Sequence, residues 1–343
     1  MIDPTLRHTP CGAVTGTVAA PGVTAYKGIR YATAGRWQYP EGENRMEKID
    51  FHTHAAPTVQ PMRPNPWNPR DCYVADLAEL RQTLQAQGIT HAVLMSGGEV
   101  SRPGVMCASN EVCKAMAETQ NGFFDWACNF EPEHPETVYE RMRRCKEAGA
   151  VAVGELMVNQ WLDSEFLTSV FDAAERLELP VTLHMSPEPG FAYGVCDRPG
   201  LPLLEQVLQQ HPGLTILGHS QLFWLEISGD CPTEGNEARS AMGKGPVTPG
   251  GRVPELFERY PNLYGDLSAF SGSCAIVRDP AFGVAFLERY ADRLLFATDT
   301  YNKHQRFPLG QFLDDACAQG KLSRAAYEKI YYKNAQRLLR RNT

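Results

Sequence analysis

His52 and His54 lie two residues apart in "KIDFHTHAAP", residues 48–57, with Asp50 two residues before them. Alternate side chains of a β-strand share a face, so this spacing aims two imidazoles the same way from the end of a short strand. Further along, apolar runs end in Glu155 of "VGELM", His184 of "TLHMS", His219 of "ILGHS", Asp266 of "YGDLS" and Asp299 of "FATDT". A lone histidine in such a place is more often a hydrogen-bonded structural residue than a ligand. An unpaired imidazole or carboxylate is nevertheless costly to bury. Four of the nine histidines at strand ends, together with a carboxylate, are hard to explain without a metal ion.

Imidazole and carboxylate suit Zn²⁺ and similar divalent cations, Mn²⁺ among them, with a position left open for water. Such an ion lowers the pKa of a bound water toward about 7. In this reading Asp299 ligates the metal and takes the proton of the attacking water. His219 binds a second metal or stays free as an acid or electrophile. Glu155 either bridges two metals or is a structural carboxylate. His8, His91, His134, His211 and His304 sit at strand starts or in loops. His91 opens its strand and so faces away from the other ligands.

These residues need elements to position them. From Met46 onward, short apolar runs alternate with amphipathic stretches. The runs are "KIDFHTH", "THAVLMS", "FFDWACNF", "AVAVGELM", "PVTLHMS", "LTILGHS", "NLYGDLS" and "RLLFATDT". Between them, segments such as "SEFLTSVFDAAERLE" and "LPLLEQVLQQHP" carry apolar residues at i, i+3 and i+4. Strands buried on both faces read as continuous apolar runs. Eight such units favour an α/β fold of the (β/α)₈ TIM-barrel type over a doubly wound sheet. Residues 1–45, rich in Gly, Thr and Val, read as a small N-terminal β-hairpin appendage to a barrel over 46–343. The appendage is a candidate barrel cap or subunit contact, which leaves a homo-oligomer open. The Gly/Pro-rich stretch from Leu222 to Gly251 reads as a long loop over the barrel mouth.

The bulk composition limits partners. There are 33 Lys plus Arg and 40 Asp plus Glu, a formal net charge of −7, and no basic cluster beyond the C-terminal "RLLRRNT". A nucleic-acid partner is disfavoured. Ten scattered cysteines form no CxxC pair. With no secretory leader and no membrane-spanning apolar stretch, the expectation is a cytoplasmic chain with free thiols.

HxH on strand one, a residue on strand four, histidines on strands five and six and Asp on strand eight together resemble the amidohydrolase superfamily, from about Met46 to the C-terminus. The chain is most similar to the amidohydrolase-2 branch, which includes aminocarboxymuconate-semialdehyde decarboxylase, hydroxybenzoate decarboxylases and lactonases. The resemblance implies His52, His54, His184 and Asp299 as metal ligands and gives His219 the role of the strand-six histidine. "VGELM" departs from the decarboxylase-like members and is similar to a strand-four "GE" in two-metal TatD-like nucleases. The acidic balance speaks against a nuclease. Residues 1–45 resemble the N-terminal hairpin of type-B carboxylesterases, and "GHSQL" superficially resembles a nucleophile elbow around Ser220. Leu222 breaks the small-residue requirement of that turn, and a serine esterase leaves His52, His54 and His184 unexplained.

Two reactions follow from this reading. One is metal-dependent hydrolysis of a small ester, lactone or amide. The other is metal-dependent non-oxidative decarboxylation of an aromatic or unsaturated carboxylic acid. Loop residues expected to contact a small-molecule substrate, including a carboxylate, are Arg63, Tyr193, Trp224 and Glu226, with Arg198, Lys303 and Arg306 as further cations.

Overall fold

The computed structural model describes residues 6–9, 12–15, 17–20, 23–25, 46–63, 68–101 and 107–340. The chain divides into two compact units, Met1–Met46 and Glu47–Thr343. In the first, Leu6–Thr9 pairs antiparallel with Gly12–Thr15, and Thr17–Ala20 pairs antiparallel with Val23–Ala25. Among the described residues this unit shows two short ladders where one small hairpin was expected. The esterase-like "GIRYATAGRWQYP" lies outside the described residues.

The second unit is a (β/α)₈ barrel. Its strands are β1 (Ile49–Thr53), β2 (His91–Leu94), β3 (Phe124–Cys128), β4 (Ala152–Leu156), β5 (Val181–Ser186), β6 (Ile216–His219), β7 (Leu263–Asp266) and β8 (Leu294–Leu295). Each pairs parallel with its neighbour in chain order. Beyond Leu295 the ladder is carried by single bonds that close the barrel. Phe51 N donates to Phe296 O at 3.2 Å, Asp299 N to His52 O at 2.7 Å and His54 N to Thr300 O at 3.0 Å. The eighth apolar run is therefore shorter as a regular strand than expected, and at its far end Asp299 takes a left-handed backbone (φ 59°).

Ile49, Phe51, Val93, Met95, Ala127, Leu217 and Leu295 meet in one buried cluster, which is why these strands are apolar throughout. The helices follow the 3.6-residue stripe. In Leu77–Ala86 the buried face is Leu77, Leu80 and Leu84, and Asp76 caps the first turn by accepting from Glu79 N at 2.9 Å. Ser164 caps Glu165–Arg176 in the same way. Among the described residues, no helix is long and apolar enough to cross a membrane.

The stretch from Leu222 to Gly251 is not one loop. Its start belongs to the helix Ser220–Leu225, all buried except Gln221, and a second short helix spans Asn236–Arg239. Buried Arg239 donates to Asp197 O at 2.9 Å and Pro187 O at 3.4 Å, tying the segment to the loop that leaves β5.

Candidate metal centre

β1 delivers His52 and His54 side by side at the C-terminal ends of the strands. Their Nε2 atoms are 3.1 Å apart. Glu155, from the end of β4, places Oε2 3.6 Å from both nitrogens. Asp299, past the end of β8, places Oδ1 3.0 Å from His54 Nε2 and 3.7 Å from His52 Nε2. These separations, 3.0–3.7 Å, are close to the roughly 3–3.5 Å between donors that share one ion at about 2.1 Å. Glu155 Oε2 and Asp299 Oδ1 are buried with no hydrogen-bond partner. Two orphaned carboxylate oxygens facing two imidazole nitrogens fit a divalent cation.

The other oxygen of Glu155 faces a second group. Glu155 Oε1 lies 2.5 Å from His184 Nδ1 on β5 and 3.5 Å from His219 Nε2 on β6. Three ligand triads are compact: His52, His54 and Glu155; His52, His219 and Asp299; and Glu155, His184 and His219. Glu155 belongs to two of them, one through each oxygen.

The surrounding groups fix these side chains. Asp266, ending β7, is 2.6 Å from His52 Nδ1, and Ser268 Oγ is 2.9 Å from His219 Nδ1. Asp50 accepts from His52 N at 3.2 Å and from Thr298 N and Oγ1 at 2.9 and 2.6 Å, locking β1 to the chain that carries Asp299. Burial raises Asp50 to about 7 despite those bonds. Asn129 Nδ2 donates to Glu155 O at 2.6 Å and to Ser96 O at 3.2 Å, holding the end of β4. Burial opposes charge on His52, but Asp266, Asp299 and Glu155 outweigh it and lift its pKa well above the usual range. Burial likewise opposes charge on Glu155, and His184 and His52 still hold its carboxyl well below the usual range. For His219, burial prevails over the pull of Asp266 and the imidazole is held low, toward its neutral form.

The structure brings together His52, His54, Glu155, His184, His219 and Asp299, with Asp50 bonded to the backbone beneath them. His91 lies at the other end of β2, bonded to Gly122 O and Asp125. Tyr193 reaches the site: its ring lies 4.3 Å from that of His184. The loop can fold back this closely because residue 194 is glycine, where a Cβ would sit 2.8 Å from His184 O. Arg63 is exposed on the loop that follows β1.

Trp224 and Glu226 do not line the mouth as expected. Trp224 is buried in the helix after β6 and donates from Nε1 to Asp266 O at 2.9 Å. Glu226 is buried and accepts from Gly200 N at 2.8 Å through Oε1. Arg198 stacks on Trp161, Lys303 pairs with Glu79 and Arg306 donates to Gln305 O. Ser220 has the left-handed backbone of an elbow (φ 84°), but its Oγ accepts from Met185 N at 2.9 Å and donates to Met185 O at 2.8 Å. It staples β6 to β5.

Three partners of the ligands escaped the sequence reading: Cys107, Ser268 and Asn129. Cys107 Sγ lies 3.2 Å from His54 Nδ1. Ser268 is two residues past Asp266, and Asn129 immediately follows β3. A search for polar residues just beyond each strand would have found these two. Cys107 lies thirteen residues past β2 and has no such signal.

A barrel with imidazoles and carboxylates converging at the C-terminal ends of its strands belongs to the metal-site barrels. The chain is a member of the amidohydrolase family: the family model described as Amidohydrolase matches residues 49–341. No curated protein sequence matches it. Among solved structures it is similar to 2,6-dihydroxybenzoate decarboxylase from Rhizobium, at 17% identity and TM-score 0.55, covering 87% of this chain and 100% of that one. It is similar to a probable 2-pyrone-4,6-dicarboxylic acid hydrolase from Acinetobacter baumannii, at 13% identity and TM-score 0.51, covering 86% and 99%. It is also similar to 5-carboxyvanillate decarboxylase from Novosphingobium aromaticivorans, complexed with manganese, at 18% identity and TM-score 0.50, covering 78% and 81%. Likeness at these identities establishes the shared fold.

Proposed function

We propose that this chain is a metal-dependent hydrolase of a small ester, lactone or amide. His52, His54 and Asp299 would hold one divalent cation, His184 and His219 a second, with Glu155 bridging them. Zn²⁺ fits the imidazole-rich donor set, and Mn²⁺ is the second choice. What supports the reading is the Glu155 carboxylate, which turns one oxygen to each ligand group. The cations supply Lewis acidity and bring the pKa of water toward about 7.

The rest falls to the chain's own groups. Asp299 has the most open side chain of the proposed ligands, at 14% against 11% for His184, so it can accept the proton of the attacking water. With a cation bound, Asp266 would hold the proton on His52 Nδ1 and leave Nε2 free as a donor atom. His219, kept neutral by burial and held by Ser268, keeps Nε2 available to the site. Tyr193 over His184 narrows the entrance and offers a ring face to a planar substrate. Arg63, on the exposed loop after β1, is the proposed contact for a substrate carboxylate.

Decarboxylation of an aromatic or unsaturated acid is the second reading, favoured by the names of two fold neighbours, the 2,6-dihydroxybenzoate and 5-carboxyvanillate decarboxylases. The test is a panel of lactones, esters, amides and hydroxylated benzoates incubated with the metal-loaded protein. Hydrolytic product without CO₂ supports the first reading. CO₂ release without hydrolysis replaces it with the second.

A further inference from the structure

We propose that Cys107 is a positioning residue of the metal centre, holding His54 by its second ring nitrogen. The inference rests on the metal reading above. For His54 Nε2 to offer a lone pair to a cation, the ring proton must sit on Nδ1, and that nitrogen needs an acceptor. Cys107 Sγ is 3.2 Å away, and both residues are buried. The same arrangement recurs at two neighbouring ligands, where Asp266 faces His52 Nδ1 and Ser268 faces His219 Nδ1. Glu155 Oε2, fully buried and unpartnered, faces the nitrogen that Cys107 leaves free.

The thiol is held in place. Gly97 N and Ser96 Oγ both donate to Ala108 O, at 2.9 and 3.2 Å, and Gly98 bridges to Ser109. These bonds clamp residues 107–109 against the exit of β2. A Cβ on residue 97 would sit 2.6 Å from Cys107 Cβ, so glycine there is what lets the segment approach. A thiol sulfur is a weak acceptor, whereas Asp266 offers a carboxylate.

The test compares the wild type with Cys107→Ala, Cys107→Val and Cys107→Ser. Each is stripped with a chelator and titrated with Zn²⁺ against a chromophoric chelator, and its thermal midpoint is recorded with and without Zn²⁺. The Ala and Val variants are expected to bind Zn²⁺ roughly 10-fold or more weakly and to lose part of the zinc-induced rise in midpoint. Ser, which keeps an acceptor, retains most of both. Equal affinity in all four overturns the proposal. So does a lower metal-free midpoint with an unchanged zinc increment, which assigns Cys107 to packing alone. A wild type that binds neither Zn²⁺ nor Mn²⁺ overturns the metal reading and this proposal with it.

Discussion

Asp266, ending β7, lies 2.6 Å from Nδ1 of His52 on β1, two strands round the barrel, so that Nε2 is the nitrogen His52 turns toward His54 and Glu155. With a cation bound, a proton kept on Nδ1 by Asp266 would leave the Nε2 lone pair free on the side of His54 and Glu155. The Asp266 carboxyl opposes its own burial through His52 and His219 and is held below its ordinary value. Asp266→Asn removes the charge while keeping an acceptor. Metal affinity by chelator competition is expected to fall about 10- to 100-fold. Unchanged affinity would show that the pair only braces the fold.

Glu155→Gln tests the bridge. The wild type is expected to retain about two metals per chain and the variant one or fewer, measured by elemental analysis after purification without chelator. One metal in both proteins would make Glu155 a structural carboxylate and shift weight toward decarboxylation. The amide keeps most of the side-chain volume, so collapse of a cavity does not confuse the result.

The clustered imidazoles and carboxylates were legible for a simple reason. Period-two spacing put His52 and His54 on one face, and polar residues ending apolar runs stand out at 155, 184, 219 and 299. Barrel topology did the rest, because eight parallel strands carry all their C-terminal ends to one mouth. What the sequence hid depends on tertiary paths. Trp224 follows β6 so closely that "LFWLEI" read as a loop. A helix begins at Ser220 instead, and it turns the indole inward to Asp266 O. Cys107 was hidden because no period links it to His54, 53 positions earlier.

Ser220→Ala separates the metal reading from a serine mechanism. The hydroxyl makes both of its bonds to the backbone of Met185, so its loss leaves a buried N–H and C=O unpaired. A stability loss of about 1–3 kcal/mol is expected by urea unfolding. Activity on whichever substrate the panel reveals should persist within a few-fold. A fall of several orders of magnitude would restore the serine as nucleophile.

The far end of the barrel offers a pH test that leaves the metal out. His91 Nε2 is 2.8 Å from Asp125 Oδ2, and Nδ1 is 3.0 Å from Gly122 O. Burial opposes charge on His91, but the bond and charge of Asp125 outweigh it and raise its pKa above the ordinary 6.5. The folded chain then binds this proton more tightly than the unfolded chain does. The pair's contribution is complete below the unfolded pKa and is lost as pH rises through the raised folded value. Asp125→Asn should therefore destabilise the protein at pH 5.5, by about 1 kcal/mol or less, and make little difference at pH 9. Urea midpoints of both proteins, taken in excess chelator at the two pH values, check this. A gap that stays constant or widens with pH would mean that His91 carries no extra proton in the fold.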